Sequence, residues 1–455
     1  MIEAQELVER ALRASTADET IVLVTEVSEA ALRWAGNSMT TNGVSRSRSW
    51  TVLAIRREPV TRVGIVTSSS VDADDIDAVV TAARTAADAA APATDAMPLL
   101  EGTGSPRDWA GGFTGTGIGV FDEVIDALTD GFGGTHRLYG FAHHQVRTTW
   151  LGTSTGVRRR YTQPEGSIEV HGKRGGLDGP GAWAGAGTRD FRDVDTTALL
   201  GELDRRLDWA GTAVELPAGR YETLLPPSAV ADLMIYLMWS MEGRGAEEGH
   251  TALSRPGGTR VGEVLTALPL TLSSDPAAPG LEYAPFVTAT ASTDAVSVFD
   301  NGLDAGRVDW IRDGAVHALT YPRAAAAEFG APVTAPGENL LLTGGSSASI
   351  DDLVACTERG LLLTTLWYLR EVDPATLLLT GLTRDGVYLV EDGEVVAAVN
   401  NFRFNESPLD LVRRATEVGA TERTLPREWK DWFTRTAMPP MRIPDFHMSS
   451  VSAAR

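Results

Sequence analysis

The chain has 455 residues and a formal net charge of −21, with 61 acidic residues against 40 lysines and arginines. Such a charge disfavours binding to nucleic acid phosphates and to anionic membranes, and we expect neither partner. The single cysteine, Cys356, excludes an intrachain disulfide and a cysteine-rich zinc or iron–sulfur site. Apolar runs fall short of the ~18–20 residues that a membrane span needs. The acidic, amphipathic start is unlike a signal peptide, so we expect a cytoplasmic protein.

The first half of the chain alternates helical and strand patterns. Two strands that flank the turn 152–156 predict a long hairpin, while the glycine-rich stretch 172–189 is expected to end the sheet or cross its edge. We therefore predict an N-terminal α/β domain, residues 1–216, with an antiparallel sheet and helices. Its predicted helices are 3–14, 71–91, 119–128 and 196–209, and its predicted strands are 20–27, 47–56, 60–67, 137–150 and 157–170.

The stretch 226–254, PPSAVADLMIYLMWSMEGRGAEEGHTALS, opens the second half. Its prolines suit a first helical turn, and Ser228 is a plausible cap. An apolar run on all sides predicts a buried helix, which we expect Gly243 and Gly245 to end, with Glu247, Glu248 and His250 on a following loop.

Short strands with tight turns dominate the rest, which predicts a mostly β, barrel-like C-terminal domain around the buried helix, residues 217–455. The fold class is thus α+β. Asp313-Gly314 and Asp392-Gly393 are predicted hairpin turns. The predicted strands are 268–272, 287–291, 296–299, 307–312, 315–320, 339–343, 360–367, 376–383, 387–391 and 394–400, with a short helix at 349–355.

Candidate catalytic groups are sparse. No histidine pair has the spacing of a zinc-binding helix, and adjacent His143 and His144 point to opposite faces of a strand. Cys356 has apolar neighbours, as a structural cysteine does. His250 beside Glu247 and Glu248 is the one cluster with ligand-like composition, although a solvated acidic turn explains it better. Residue chemistry alone therefore assigns no catalytic set.

Short motifs in a specific order provide the next clue. They are 31–38 (ALRWAGNS), 153–156 (TSTG), 299–302 (FDNG), 311–316 (IRDGAV), 336–340 (PGENL), 359–362 (RGLL) and 379–394 (LTGLTRDGVYLVEDGE). Together they resemble the TldD/PmbA (TldD/TldE) family of modulator-of-gyrase-type metallopeptidases over nearly the whole chain, with residues 92–190 departing most from the family pattern.

The resemblance implies two kinds of subunit. One binds zinc through a His-Glu-x-x-x-His helix and a C-terminal cysteine, and the other lacks these ligands and pairs with the first. Here the corresponding positions fall near Met234, Ile235 and Trp239, and residues 420–445 contain no cysteine. The chain therefore resembles the zinc-free PmbA/TldE type.

We accordingly expect a zinc-free subunit of a cytoplasmic metallopeptidase that acts on peptides or unstructured protein segments. A TldD-like partner would supply the catalytic zinc in a heterodimer, and this chain would hold no metal and no catalytic residue. Candidate residues for the wall of the substrate chamber are Glu242, Arg244, Glu247, His250 and Arg384. Two alternatives stay open: a non-catalytic homodimer that binds peptides or partners, and a divergent enzyme that uses His250 with Glu247 and Glu248.

Overall fold

The structure, a computed structural model, describes residues 2–176 and 179–453. It has the mixed α+β architecture that the sequence predicts. The sheet of the first half and loop segments of the second half line a cavity between them.

The first half forms one antiparallel sheet with the strand order β3-β2-β1-β4-β5-β6. Strands β1 and β2 pair along most of their length, as do β4 and β5, which confirms the predicted hairpin. The strands are β1 (Glu19–Ala35), β2 (Met39–Arg56), β3 (Arg62–Ser68), β4 (Arg137–Thr153), β5 (Arg158–Lys173) and β6 (Gly181–Thr188), and the helices are α1 (Ala4–Ala14), α2 (Ile76–Ala89), α3 (Asp122–Phe132) and α4 (Thr196–Trp209).

The two faces of this sheet have different chemistry because side chains alternate along each strand. Val22, Val24 and Trp150 face helices α1 and α2 and form one apolar core with them. On the opposite face, Leu23 and Leu151 pack with Phe299 from the second half of the chain. Farther along the same face the residues become polar, and this polar area faces the cavity.

The second half contains two larger sheets, a two-stranded hairpin and five α-helices in the part of the chain that the structure describes. The helices are α5 (Pro227–Trp239), α6 (Gly243–Glu247), α7 (Arg323–Phe329), α8 (Ile350–Ala355) and α9 (Pro408–Arg414). The strands of the smaller sheet, in spatial order, are β13 (Ala315–Val316), β12 (Val308–Arg312), β11 (Thr271–Ser274), β14 (Leu340–Thr343), β23 (Thr436–Met438) and β22 (Glu422–Thr424).

The larger sheet runs in the order β16 (Leu366–Asp373), β17 (Leu378–Thr383), β20 (Phe402–Glu406), β24 (Met441–Val451), β8 (Gly219–Leu225), β15 (Arg359–Leu363), β18 (Val387–Glu391), β19 (Glu394–Val399) and β7 (Ala213–Val214), with β21 (Glu417–Val418) paired to β24. A small hairpin joins β9 (Ser254–Arg255) to β10 (Gly258–Thr259).

Helix α5 is buried between the two sheets of the second half, as predicted. Leu233, Ile235 and Leu237 are inaccessible to solvent and share one core with Leu272 of the smaller sheet and Phe404 of the larger. The larger sheet ends in two different strands, β16 and β7. The term barrel-like was therefore too strong, because two open sheets pack around a helix instead of one sheet closing on itself.

Several local predictions were wrong. The glycine-rich stretch 172–189 contains strand β6, although residues 177 and 178 of it lie outside the described residues. Pro226, not Ser228, precedes the first turn of α5, and Ser228 makes no capping hydrogen bond. Gly243 and Gly245 do not end a helix but lie within the short helix α6, residues 243–247, so Glu247 is helical and not part of a loop. The stretch 287–291 is irregular, because the Asn301 side chain takes up the amide and carbonyl of Ala289.

The tight turns and the short helix are confirmed. Asp313, Gly314, Asp392 and Gly393 all have positive φ angles, as a two-residue hairpin turn requires. Helix α8 begins after Ser349, which forms a reciprocal capping box with Asp352. In the described residues, no helix combines the length and apolar character needed to cross a bilayer.

The contact of β3 with α2 yields a test of this packing. A Cβ atom added to Gly64 would lie 2.1 Å from the backbone oxygen of Ala83 and 2.1 Å from the backbone nitrogen of Ala87. We predict that Gly64→Ala lowers the free energy of unfolding by about 1–3 kcal/mol, measured by chemical denaturation, because the helix must move off the sheet. Gly43→Ala is the control, since its Cβ would meet nothing within 4 Å. Equal stability of the two variants would contradict this packing.

Candidate functional site

Helix α5 holds a loop of the C-terminal region through one buried carboxylate. Asp232, which is fully buried, accepts hydrogen bonds from the backbone amides of Arg427 (3.2 Å), Glu428 (2.9 Å) and Trp429 (3.4 Å). The indole nitrogen of Trp429 donates to the backbone oxygen of Asp232 at 2.9 Å. Burial raises the pKa of Asp232 well above its ordinary value, and the three amides oppose that effect. We call residues 427–435 the anchored loop.

The anchored loop carries an aromatic cluster at the end of α5. Trp239 packs edge-on against Trp429 with ring centroids 5.0 Å apart, and Tyr236 and Trp432 contact Trp429 at 5.8 and 6.2 Å. Trp429 is buried, whereas Trp239 is 44% exposed and Trp432 is 73% exposed. The cluster therefore presents two indole rings to solvent beside the sheet of the first half.

The space between that sheet and the anchored loop is a cavity of about 640 Å³, which we call the central cavity. This volume lies within the range of small-ligand sites in proteins. The sheet provides polar side chains, and the second half provides aromatic rings. The lining includes Ser49, Thr25, Thr149, Tyr161, Arg147 and Gln163 from the sheet and Trp239, Phe286, Trp432, Phe433, Glu338 and Arg435 from the second half.

Ion pairs fix the anchored loop to the sheet along one side of this cavity. Arg435 pairs with Glu165 of β5 at 2.9 Å, and Lys430 pairs with Glu169 of the same strand at 3.1 Å. Glu165 also accepts hydrogen bonds from Thr434 and from Gln145, the latter at 3.3 Å. These groups are largely buried, so the loop and the sheet form one continuous wall.

Two of the residues predicted for the chamber wall lie together in a neighbouring cavity of about 520 Å³. Glu242 and His250 line it beside Trp239, which also lines the central cavity. Burial, with the charges of Asp294 and Glu248, raises the pKa of Glu242. His250 is exposed and lies 3.6 Å from Glu248.

The other predicted residues lie elsewhere. Arg244 pairs with Glu328, with Glu248 at 3.1 Å and with Asp294 at 3.7 Å, so its charge is already taken up. Glu247 accepts a hydrogen bond from Tyr321 at 3.0 Å. The structure thus does not place Glu247 with His250.

Arg384 belongs to a third region, where its guanidinium lies 5.9 Å from the centroid of the Trp367 ring and 3.7 Å from Asp385. Trp367 borders a separate cavity of about 460 Å³, which residues 427–432 of the anchored loop also line. The five predicted residues therefore do not form a single site.

The three positions of α5 that the resemblance in sequence matches to metal ligands hold apolar or aromatic side chains. Met234 and Ile235 are buried in the core, and Trp239 lines the central cavity. Zinc needs imidazole, thiolate or carboxylate ligands, so this part of α5 does not fit the ion. In the described ranges, no three side chains of the His, Cys, Asp or Glu type converge as a metal site would require.

Sequence reasoning missed the residues that line the central cavity. The available signal was the alternation in β4 and β5, which places Gln145, Arg147 and Thr149 on one face beside Tyr161 and Gln163. An ordinary solvated sheet face has the same pattern. Only the position of the anchored loop shows that this face is covered.

Comparison with known proteins identifies the family of the chain. A family model described as the PmbA/TldA metallopeptidase C-terminal domain matches residues 218–450, which is more than half of the chain. The chain belongs to the TldD/PmbA metallopeptidase family. A search of curated protein sequences returns no match.

Solved structures that share the fold cover nearly the whole chain. TldE from Thermococcus kodakarensis has a TM-score of 0.78 at 16% identity and covers 97% of this chain and 99% of its own. A putative modulator of a DNA gyrase from Thermotoga maritima has a TM-score of 0.77 at 13% identity, with coverage of 98% and 100%. One from Bacteroides thetaiotaomicron has a TM-score of 0.77 at 13% identity, with coverage of 99% and 100%. The TldD/PmbA fold therefore includes both halves of this chain.

The anchor between α5 and the anchored loop gives a first test at this site. We predict that Asp232→Ala lowers the free energy of unfolding by about 2–4 kcal/mol, because backbone amides lose their acceptor in a buried place. Asp232→Asn, which keeps one oxygen acceptor, should lose less. Asp431→Ala is the matched control, since that side chain is 70% exposed on the same loop. Chemical denaturation of the three variants measures the effect, and an Asp232→Ala protein as stable as the control would contradict the anchor.

The ion pair of Glu169 gives a test by pH. Burial alone would raise the pKa of Glu169, but the hydrogen bonds and charges of His171 and Lys430 outweigh it and lower the pKa to about 2. Since an unfolded glutamate titrates near ~4.3, the ionised carboxylate stabilises the fold above that pH, and the contribution disappears as pH falls toward the folded value.

We expect Glu169→Gln to be less stable than the unchanged protein by about 1–3 kcal/mol at pH 6–7. This difference in the free energy of unfolding, measured by chemical denaturation, should decrease as the pH is lowered from 5 to 3. Glu215→Gln, at an exposed position, should show no such pH-dependent gap. A gap that stays constant over this range would rule out the proposed role of the Glu169 charge.

Proposed function

We propose that the chain is the zinc-free subunit of a two-component metallopeptidase that acts on peptides or unstructured protein segments in the cytoplasm. A TldD-like partner subunit would supply the zinc. The observation that carries the proposal is the apolar, buried α5: the resemblance aligns it with the family's metal-binding helix, and Met234, Ile235 and Trp239 offer no group that binds zinc.

The partner's zinc would polarise the scissile carbonyl and activate water, which is the general role of zinc in peptidases. The contribution of this chain is to bind and enclose. Its central cavity combines polar side chains on the sheet with exposed indole rings from the end of α5 and the anchored loop, a combination suited to peptide amides and apolar side chains. In this proposal the cavity admits an extended peptide and excludes a folded protein.

The free edge of β2 offers a second element for assembly. Strand β3 pairs with β2 only from Trp50 to Arg56, so in the described residues the outer edge of 39–49 has no neighbouring strand. Val44 on this edge is 60% exposed. Exposed edges add strands readily, which favours a partner subunit or an extended peptide as the covering element.

A homodimeric peptide-binding protein without catalysis is the second candidate. It is favoured by one observation: both walls of the central cavity come from this chain, so peptide binding there needs no second subunit. The two proposals differ in whether a zinc-bearing relative is required for hydrolysis.

Reconstitution distinguishes the two candidates. We predict that the purified chain alone contains no stoichiometric zinc and hydrolyses no unfolded peptide, and that adding a zinc-bearing relative from the same genome produces hydrolysis. Peptide cleavage is followed by mass spectrometry, and zinc by elemental analysis. Replacing the relative's metal-binding histidines should abolish the activity, as a control for contaminating peptidases.

Stoichiometric zinc in the isolated chain would overturn the zinc-free assignment. Absence of hydrolysis in every mixture, together with peptide binding by this chain alone, would establish the binding protein instead.

A further inference from the structure

The sheet face in the central cavity carries a row of four hydroxyl groups. In the strand register Ser49 is opposite Thr25, Thr25 is opposite Thr149, and Thr149 is opposite Tyr161. Directly opposed residues place their Cβ atoms ~4.5–5.5 Å apart, so the row crosses four strands without a gap. None of the four hydroxyls forms a hydrogen bond with a residue that the structure describes.

These unused hydroxyls contrast with others on the same sheet. Thr51 pairs with Thr67 at 2.8 Å, and Thr148 pairs with Thr162 at 3.1 Å. A hydroxyl both donates and accepts a hydrogen bond, and it therefore suits the N–H and C=O groups of a peptide backbone equally. The hydroxyl row leaves this capacity open toward the cavity.

An unpaired cation lies beside the row. Arg147 precedes Thr149 by two residues in β4, so both side chains point to the cavity. Arg147 is exposed, and its guanidinium forms neither an ion pair nor a hydrogen bond within residues 2–176 and 179–453. Its charge acts on Glu338 only from beyond ion-pair distance. In contrast, Arg435 and Lys430 at the same wall are paired with Glu165 and Glu169.

An unused acceptor completes the arrangement. Gln163 is directly opposite Arg147 in the register of β4 and β5. Its amide nitrogen donates to the backbone oxygen of Pro164 at 2.9 Å, while its amide oxygen is buried without a hydrogen-bond partner in the described structure. A buried acceptor without a donor is costly, so the site favours a ligand that brings an N–H group.

Arg147 and Gln163 together match a carboxylate with a neighbouring N–H. The guanidinium fork binds carboxylates in a two-point geometry. The C-terminal residue of a peptide carries both groups, since its carboxylate is next to its own amide N–H. An acidic side chain offers the same carboxylate chemistry.

We propose that the central cavity binds an extended peptide through a carboxylate that pairs with Arg147. The peptide amides lie along the hydroxyl row, and an apolar side chain packs against Trp239 and Trp432. This inference rests on the proposed function, because it takes a peptide as the ligand. It adds that the substrate is held by a terminal or side-chain carboxylate, a preference that the charge of −21 does not suggest.

Peptide binding by the full-length chain without any partner tests the inference. Three short synthetic peptides of one apolar, otherwise uncharged sequence with a blocked N-terminus are used: a free C-terminal acid, a C-terminal amide, and an amide with one internal glutamate. Quenching of tryptophan fluorescence reports binding, since Trp239 and Trp432 line the cavity, and calorimetry confirms the affinities.

We expect at least one of the two carboxylate peptides to bind about 10- to 100-fold more tightly than the uncharged amide, as expected for hydrogen bonds to a charged group. The peptide that gains affinity identifies the source of the carboxylate. Arg147→Gln should remove the gain, and Arg147→Lys should keep part of it. Arg192→Gln, at a side chain that is 88% exposed outside the cavity, should bind as the unchanged protein does.

Equal affinity for all three peptides, or an affinity gain that persists in Arg147→Gln, would overturn the inference. Inorganic phosphate that competes as strongly as the best peptide would also overturn it, because the site would then recognise a small anion and not a peptide. Circular dichroism and thermal melting establish that each variant is folded.

The outcome is separable from that of the proposed function. Partner-dependent hydrolysis that is indifferent to Arg147 would refute the carboxylate site and leave the subunit assignment intact. Arg147-dependent binding without hydrolysis in any mixture would do the reverse.

Discussion

The cavity depends on one buried carboxylate. Asp232 lies in the buried part of α5, and its carboxylate oxygens accept hydrogen bonds from three successive backbone amides of the anchored loop. Backbone amides are fixed relative to one another, so this contact sets the path of the loop more strictly than side-chain contacts would. A buried carboxylate without these donors would be strongly unfavourable, which couples the helix to the loop.

The position of the loop then determines what faces the first half of the chain. Lys430 pairs with Glu169 of β5. Arg435 pairs with Glu165 of the same strand, which also accepts a hydrogen bond from Thr434. Trp432 remains exposed beside Trp239. The hydrogen bonds of Asp232 thus position both the ion-paired residues and the aromatic rings of the anchored loop beside the central cavity. The sheet lines the cavity with the hydroxyl row. In this account α5 is a structural support, and recognition belongs to the surfaces around it.

The sequence predicted the elements whose signals are local. The β4–β5 hairpin, helix α4 and the two Asp-Gly turns were recognised because strand alternation, helical periodicity and turn chemistry act over a few residues. Strand β6 was missed because its glycine and alanine residues become a strand only through pairing with β5. The stretch 287–291 was wrongly predicted to be a strand. Its hydrogen bonds with the Asn301 side chain depend on tertiary structure, and the local sequence does not indicate them.

The site was predicted less well than the fold, for a related reason. Proximity to the end of α5 selected Glu242 and His250, which line one cavity, and also Arg244, whose charge is balanced by Glu328 and Glu248. Whether an arginine is paired depends on residues distant in sequence. For the same reason Arg147 was not predicted as a site residue. In the sequence it resembles any charged residue of an exposed strand, and only the structure shows that it faces the central cavity.

Native mass spectrometry of this chain after coexpression with a zinc-bearing relative tests the central claim most directly, because mass gives subunit composition and metal content together. The account predicts a 1:1 complex that carries one zinc ion, with the metal retained by the relative when the two chains are separated. A stable metal-free homodimer that excludes the relative, or zinc that remains with this chain, would contradict it.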